Sequence, residues 1–271
     1  MELKAQAKVN LGLNVRFRRP DGYHELDGVM ARLALHDTLT LTPQPKGVTL
    51  TVAGAELAAD ASNLAYRAAQ AYLAAAGESR GVHLHLVKRI PIAAGLGGGS
   101  SDAAAVLRGL KRLYPAEVDV LGLAATLGAD VPFFVADVPA ARAQGIGDRL
   151  TPLILPKLWL VLVNPGLAVS AKEAYAGLRA FAPAVDVTAL VASLADRPSY
   201  QNSLQPGVVA AYPLIAEVLA ALRASGLRGV LMSGSGATCF GLVQGEAHAQ
   251  AVAVRLAARY PRWWVGATYS C

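Results

Sequence analysis

Cysteine is nearly absent. Cys239 and Cys271 are the only two in 271 residues, too few for a disulfide framework and without the spacing of a metal site. A reducing cytoplasm is therefore the expected compartment. Charge is sparse as well, at 16% of residues against 54% hydrophobic, a balance that excludes a disordered chain and suits a compact enzyme. Long hydrophobic runs are missing too. The longest strongly apolar run, residues 158–163, falls far short of the ~20 residues a membrane-spanning helix needs. The opening decapeptide MELKAQAKVN has no apolar core, so no secretory signal is expected. No internal repeat or low-complexity segment occurs.

What charge there is leans positive. The net charge is +6 and the isoelectric point about 9.4. The basic residues are scattered, and only Arg16, Arg18 and Arg19 cluster tightly. Scatter of this kind argues against a nucleic-acid-binding face. An anionic small substrate such as a polyphosphate accounts for the same excess.

The most informative stretch is residues 91–104, PIAAGLGGGSSDAA. Gly95, Gly97, Gly98 and Gly99 permit left-handed backbone and leave no Cβ to hold a ligand off. Ser100 or Ser101 is a suitable N-cap for the alanine-rich helix that follows. A glycine turn feeding a helix N-terminus presents N–H groups and the positive end of the helix dipole, which makes it a phosphate cradle. No lysine follows the glycines, so this is not a Walker A loop. Gly95, Gly97 and Ser100 approximate a dinucleotide fingerprint. The acids at the right distance, Glu117 and Asp119, however, sit in a proline-containing interhelical turn and not after a strand.

Residues 8–16, KVNLGLNVR, alternate with period 2 and predict a half-buried strand. Val9, Leu11, Leu13 and Val15 form the apolar face. Lys8 and Asn10 share the polar side, about 7 Å apart, where a solvated face is expected. Arg18 to His24 read as a turn built on Pro20, Asp21 and Gly22. Strands are predicted at 29–35, 38–42, 48–52 and 82–86, with a helix from Asp60, Ser62 or Asn63 to about Ala76 that Gly77 stops. His83 and His85 lack a third metal ligand and are expected to face solvent or pack structurally. A helix over 119–127 precedes Asp130 and the strand-like apolar run 131–134. A turn is expected in 141–147, and a linker at 153–157, flanked by Pro152 and containing Pro156.

The second half predicts a strand at 158–163, a capping box at Ser170–Glu173 opening a helix through Tyr175, and helices at 187–194 and 214–225. Strands at 230–232 and 239–243 follow, joined by the turn SGSGAT (233–238), then a helix at 247–259 and a strand at 263–268. With the inserted helices set aside, this is the split βαβ, ferredoxin-like order.

The glycine stretch resembles the phosphate loop of the galactokinase, homoserine kinase, mevalonate kinase and phosphomevalonate kinase (GHMP) superfamily. Three further stretches resemble its other motifs in the same order: AKVNLGLNVRFRRPDGYHEL (7–26), LGADVPFF (127–134) and SGSGAT (233–238). The first of these resembles the branch that phosphorylates the 2-hydroxyl of 4-diphosphocytidyl-2-C-methyl-D-erythritol. The resemblance implies an α+β, two-domain GHMP kinase fold. Its N-terminal αβ domain is ribosomal-protein-like (1–152) and its C-terminal domain ferredoxin-like (153–271). It further implies ATP and Mg²⁺ as cofactors and a cytidine diphosphate substrate. Asp130 is implied as the catalytic base with Lys8 as its cationic partner, and Asn10 as a substrate contact. Gly95, Leu96, Gly97, Gly98, Gly99, Ser100 and Ser101 are implied to hold the ATP phosphates, with Asn63 and Lys88 near adenine. His24 is implied to hydrogen-bond the cytosine, with Tyr23 and Tyr175 as stacking surfaces. Asp102 either faces the metal or is an ordinary acid of the first helical turn. The segment 167–172 and the Asn202-Ser203-Leu204 sequence depart from the family pattern. The competing readings are a kinase of this superfamily with another acceptor, a catalytically silent nucleotide-binding regulator, and a nucleic-acid-binding protein with a ribosomal-protein-like domain.

Overall fold

Two long strands, β1 (Glu2–Arg18) and β2 (His24–Gln44), run through both compact units of the chain. The computed structural model describes residues 1–271. Unit 1 comprises Met1–Ala7, Leu35–Ile90 and Gly97–Val138; unit 2 comprises Lys8–Ala34, Pro91–Leu96 and Pro139–Cys271. The units therefore interleave in sequence. The physical reason is the length of the two strands, each long enough to serve a different core at either end.

In unit 1, residues Thr38 to Gln44 of β2 pair antiparallel with β4 (Gly81–Val87), which pairs parallel with β3 (Val48–Ala53). The helices α1 (Leu64–Ala75), α2 (Gly98–Leu113), α3 (Val120–Leu127) and α4 (Val131–Val135) pack on one another. Asn63 caps α1, its Oδ1 accepting from Ala65 N at 3.0 Å, and Gly77 follows the helix at φ +59°. Leu39, Leu41, Leu84, Leu86, Tyr72 and Phe133 are buried in this core. The buried hydroxyls of Tyr72 and Tyr114 donate to the carbonyls of Tyr114 and Gly81, both at 2.8 Å, so neither leaves a polar group unsatisfied.

In unit 2, residues Leu26 to Ala31 of β2 pair antiparallel with β5 (Ala140–Gly145), which pairs with β6 (Arg149–Pro152). A second, four-stranded antiparallel sheet has the order β10-β7-β9-β8. It is built from β7 (Trp159–Asn164), β8 (Arg228–Met232), β9 (Cys239–Val243) and β10 (Trp264–Tyr269). Helices α8 (Leu214–Ala224) and α9 (Glu246–Arg259) cover it. The strand order and the helix placement are those of the ferredoxin-like arrangement. The remaining helices are α5 (Ala171–Ala176), opened by the Ser170–Glu173 capping box, α6 (Val187–Ser193) and α7 (Gln205–Ala211). No single helix in the chain is long and apolar enough to cross a bilayer.

Several sequence expectations need correction. Residues 131–135 form the short helix α4, not a strand, because Pro132 at the helix start has the φ a first turn needs and no N–H to waste. Residues 140–145 form strand β5; only the Gly145 and Gly147 region, with φ of +71° and +110°, is the turn. The strands expected at 29–35 and 38–42 are one continuous strand, and α7 was not foreseen. Finally, α2 starts at Gly98 with Gly97 as its N-cap at φ +70°, so Ser100 and Ser101 lie inside the helix and cap nothing.

Candidate active site

The polar side of β1 is buried, against the expectation of a solvated face. Lys8 is 3% exposed and Asn10 5%. The Lys8 ammonium donates to Asn10 Oδ1 at 2.6 Å, which pairs the two side chains that period 2 places together. The Lys8 backbone N–H donates to Leu96 O at 2.9 Å, and Asn10 N–H to Ser233 Oγ at 3.2 Å. Ser233 Oγ in turn donates to Gly95 O at 2.9 Å. Thr238 N–H reaches Ala94 O at 3.2 Å. Within unit 2, then, the polar face of β1, the first half of the glycine loop and the SGSGAT turn are one hydrogen-bonded assembly. Gly95 is at φ +74°, and a Cβ there would lie 2.1 Å from Ser233 O. Only glycine allows this approach.

Asn202 braces the same turn from behind. It is buried, its Nδ2 donates to the carbonyls of Met232 and Gly234 at 2.8 Å each, and its Oδ1 accepts from Leu204 N. The sequence marked Asn202 only as a departure from pattern. Elsewhere in unit 2, Arg142 donates bidentately to the buried Asp27 carboxylate at 2.8 and 2.7 Å, and Asp27 also accepts Val185 N–H. It too was missed, since an acid and a base 115 residues apart carry no local signal.

His24 and Tyr175 are brought together as stacked rings, 5.0 Å between centroids and 15° between planes. The His24 ring has its pKa lowered by burial, with the charge of Arg18 adding to the effect, so the ring favours the neutral form with one donor and one acceptor. Tyr23 is 62% exposed, directly before this pair in sequence.

Unit 1 holds the second half of the glycine turn. Gly97, Gly98, Gly99, Ser100 and Ser101 open α2, with Ser101 buried, Gly99 exposed and Ser100 between. The first-turn N–H groups of Gly98, Gly99 and Ser100 have no partner within the helix, which is the condition for holding an anion. Asp130 is half-buried at the N-cap position of α4. Asn63 spends its side chain on the α1 cap and on Ala58 O at 3.1 Å. Lys88 is buried, and its ammonium donates to Asp37 and, at 2.7 Å, to Asp102. Asp37 was overlooked, although the sequence carries a signal for it. It stands in phase with Leu33, Leu39 and Leu41, where the strand pattern calls for an apolar residue. His83 and His85 pair with Thr49 and Thr51 on the neighbouring β3. No group of three or more His, Cys, Asp and Glu side chains is placed to hold a metal ion.

The sequence matches the family description "GHMP kinases N terminal domain" over residues 63–140 and "GHMP kinases C terminal" over residues 187–262. The chain belongs to the GHMP kinase family. Among curated members, the 4-diphosphocytidyl-2-C-methyl-D-erythritol kinase of Thermus thermophilus is 50% identical over 98% of this chain and 96% of its own length. The enzyme of that name from Deinococcus radiodurans is 51% identical over 97% and 91%. A crystal structure of 4-(cytidine 5'-diphospho)-2C-methyl-D-erythritol kinase superposes with a TM-score of 0.91 at 49% identity, covering all of both chains. Homoserine kinase from Cytophaga hutchinsonii superposes with a TM-score of 0.69 at 21% identity, covering 99% and 95%, and shares the fold. The two-domain α+β architecture is therefore that of a GHMP kinase.

Proposed function

We propose that this GHMP kinase transfers the γ-phosphoryl group of ATP to the 2-hydroxyl of 4-diphosphocytidyl-2-C-methyl-D-erythritol. The products are the 2-phosphate and ADP, formed in the cytoplasm on the non-mevalonate route to isoprenoid precursors. The observation that carries the reading is the buried Lys8–Asn10 pair on a strand hydrogen-bonded to both the glycine loop and the SGSGAT turn. A buried ammonium held in place beside the glycine-loop backbone can supply positive charge to a reacting oxygen without reorganising.

In this reading the backbone from Gly95 to Ser101 holds the ATP phosphates, with Lys88 and Asn63 supporting the nucleotide end. Asp130 accepts the proton of the attacking hydroxyl, and Lys8 provides positive charge at that oxygen while Asn10 orients it. Neutral His24 offers the cytosine a donor and an acceptor, with Tyr23 and Tyr175 as its stacking surfaces. Mg²⁺ bound with ATP would supply positive charge at the phosphates.

Replacing Asp130 by Asn tests the assignment of the base. Turnover is expected to fall by roughly 10²–10⁴, with the fold unchanged by circular dichroism. Wild-type turnover in Asp130→Asn removes Asp130 from the mechanism.

A further inference from the structure

Two acids and one base are buried together beside the glycine turn, all within unit 1. Asp37 Oδ1 accepts the backbone N–H groups of Arg89 at 2.5 Å and Ile90 at 2.9 Å, the residues just before the turn. Asp102 lies in α2, just after the turn. The Lys88 ammonium joins them, donating to Oδ2 of each acid. Gly98 sits directly over this junction: a Cβ there would lie 3.1 Å from Ile90 Cγ2 and 3.4 Å from Lys88 Nζ. Asp102 Oδ1 is buried without a hydrogen-bond partner.

We propose that Lys88, Asp37 and Asp102 form a strut that sets the width of the glycine turn, with Lys88 a positioning residue for the ATP phosphates and Asp102 the site of an exchangeable proton coupled to nucleotide binding. The inference rests on reading the turn as the ATP loop. With both acids ionised the cluster carries a net charge of −1 in a buried place, which is unfavourable. A proton on Asp102 brings it to zero. Burial pushes the Asp102 carboxyl up to about 7; the Lys88 ammonium opposes the rise and the Asp37 carboxylate adds to it, and these are the ionisable groups acting on Asp102. Nucleotide phosphates at the start of α2 add negative charge close by and favour the protonated acid. ATP binding therefore takes up protons near neutral pH, and by reciprocity ATP binds more tightly below pH 7 than above it.

Calorimetry of Mg·ATP binding in two buffers of different ionisation heat, on the full chain and on Asp102→Asn, measures this uptake. The wild type is expected to take up about half a proton more than Asp102→Asn at pH 7. Equal uptake in both proteins overturns the proton assignment. Lys88→Met alone strands two buried carboxylates and endangers folding. The charge-neutral combination Asp37→Asn with Lys88→Met and Asp102→Asn keeps the packing without the strut. It is expected to raise the ATP KM about tenfold or more while the acceptor KM stays within about threefold. An unchanged ATP KM in that variant overturns the strut. Absence of any ATP binding by the wild type instead overturns the reading of the loop itself, and the inference with it.

Discussion

Gly95→Ala probes the join between the glycine loop and the SGSGAT turn. Gly95 is at φ +74°, and the added methyl would meet Ser233 O at 2.1 Å and Gly236 O at 3.0 Å. Left-handed backbone costs an alanine about 1–2 kcal/mol. Relief of the clash requires the Ser233 carbonyl to move by more than an ångström, and its residue is fixed by bonds to Asn10 N, Gly95 O and Thr238 O. Overpacking of this kind costs about 1–3 kcal/mol, for a total of roughly 2–5 kcal/mol. In a chain of this size that lowers the melting temperature by roughly 5–15 °C. Gly226→Ala is the matched control. Gly226 has φ +79°, lies in the same unit, and has nothing within 4 Å of an added Cβ. It bears the backbone cost alone, so the difference between the two variants isolates the clash. Thermal melts followed by circular dichroism give both numbers. A Gly95→Ala melting temperature within about 2 °C of the Gly226→Ala value means that the two turns are not rigidly joined.

Tyr175→Ala removes the ring stacked on His24; with base–aromatic stacking worth about 1–3 kcal/mol, the KM for the cytidyl acceptor is expected to rise about 5- to 150-fold and the ATP KM to hold. Tyr175→Phe is expected to behave as wild type, and an unaltered acceptor KM in Tyr175→Ala dismisses the ring from the site. Asn202→Asp loses the two donations to Met232 O and Gly234 O and leaves buried carbonyls unmet, at about 2–5 kcal/mol. The defect shrinks as the pH is lowered through the carboxyl's native pKa, because the protonated acid regains one donor. Urea melts at pH 7 and pH 4 show whether the gap to wild type narrows.

The ferredoxin-like half was legible because its signals are local. Its strands are short and apolar, and the Ser170 capping box and the Gly226 stop are plain in the sequence. The four site motifs were legible because glycine and proline leave marks that few other uses share. Period 2 correctly placed Lys8 and Asn10 on one side of β1 but could not tell a solvated face from a buried one, since the strand's partners there, Leu96 and Ser233, lie far along the chain. The same limit hid the partners of Lys88. A lysine before a glycine loop looks like a ligand contact, and only the fold brings Asp37 and Asp102 to it. The helix at 131–135 is a different failure, in which five residues are too few for apolar spacing to separate helix from strand and Pro132 carried the information.

The central claim concerns the acceptor, and ADP formation by the purified chain with Mg·ATP tests it directly. The assay compares 4-diphosphocytidyl-2-C-methyl-D-erythritol, homoserine and mevalonate at equal concentration. The account predicts stoichiometric ADP release with the cytidyl compound and none above background with the other two. ADP release with homoserine or mevalonate and none with the cytidyl compound would contradict it.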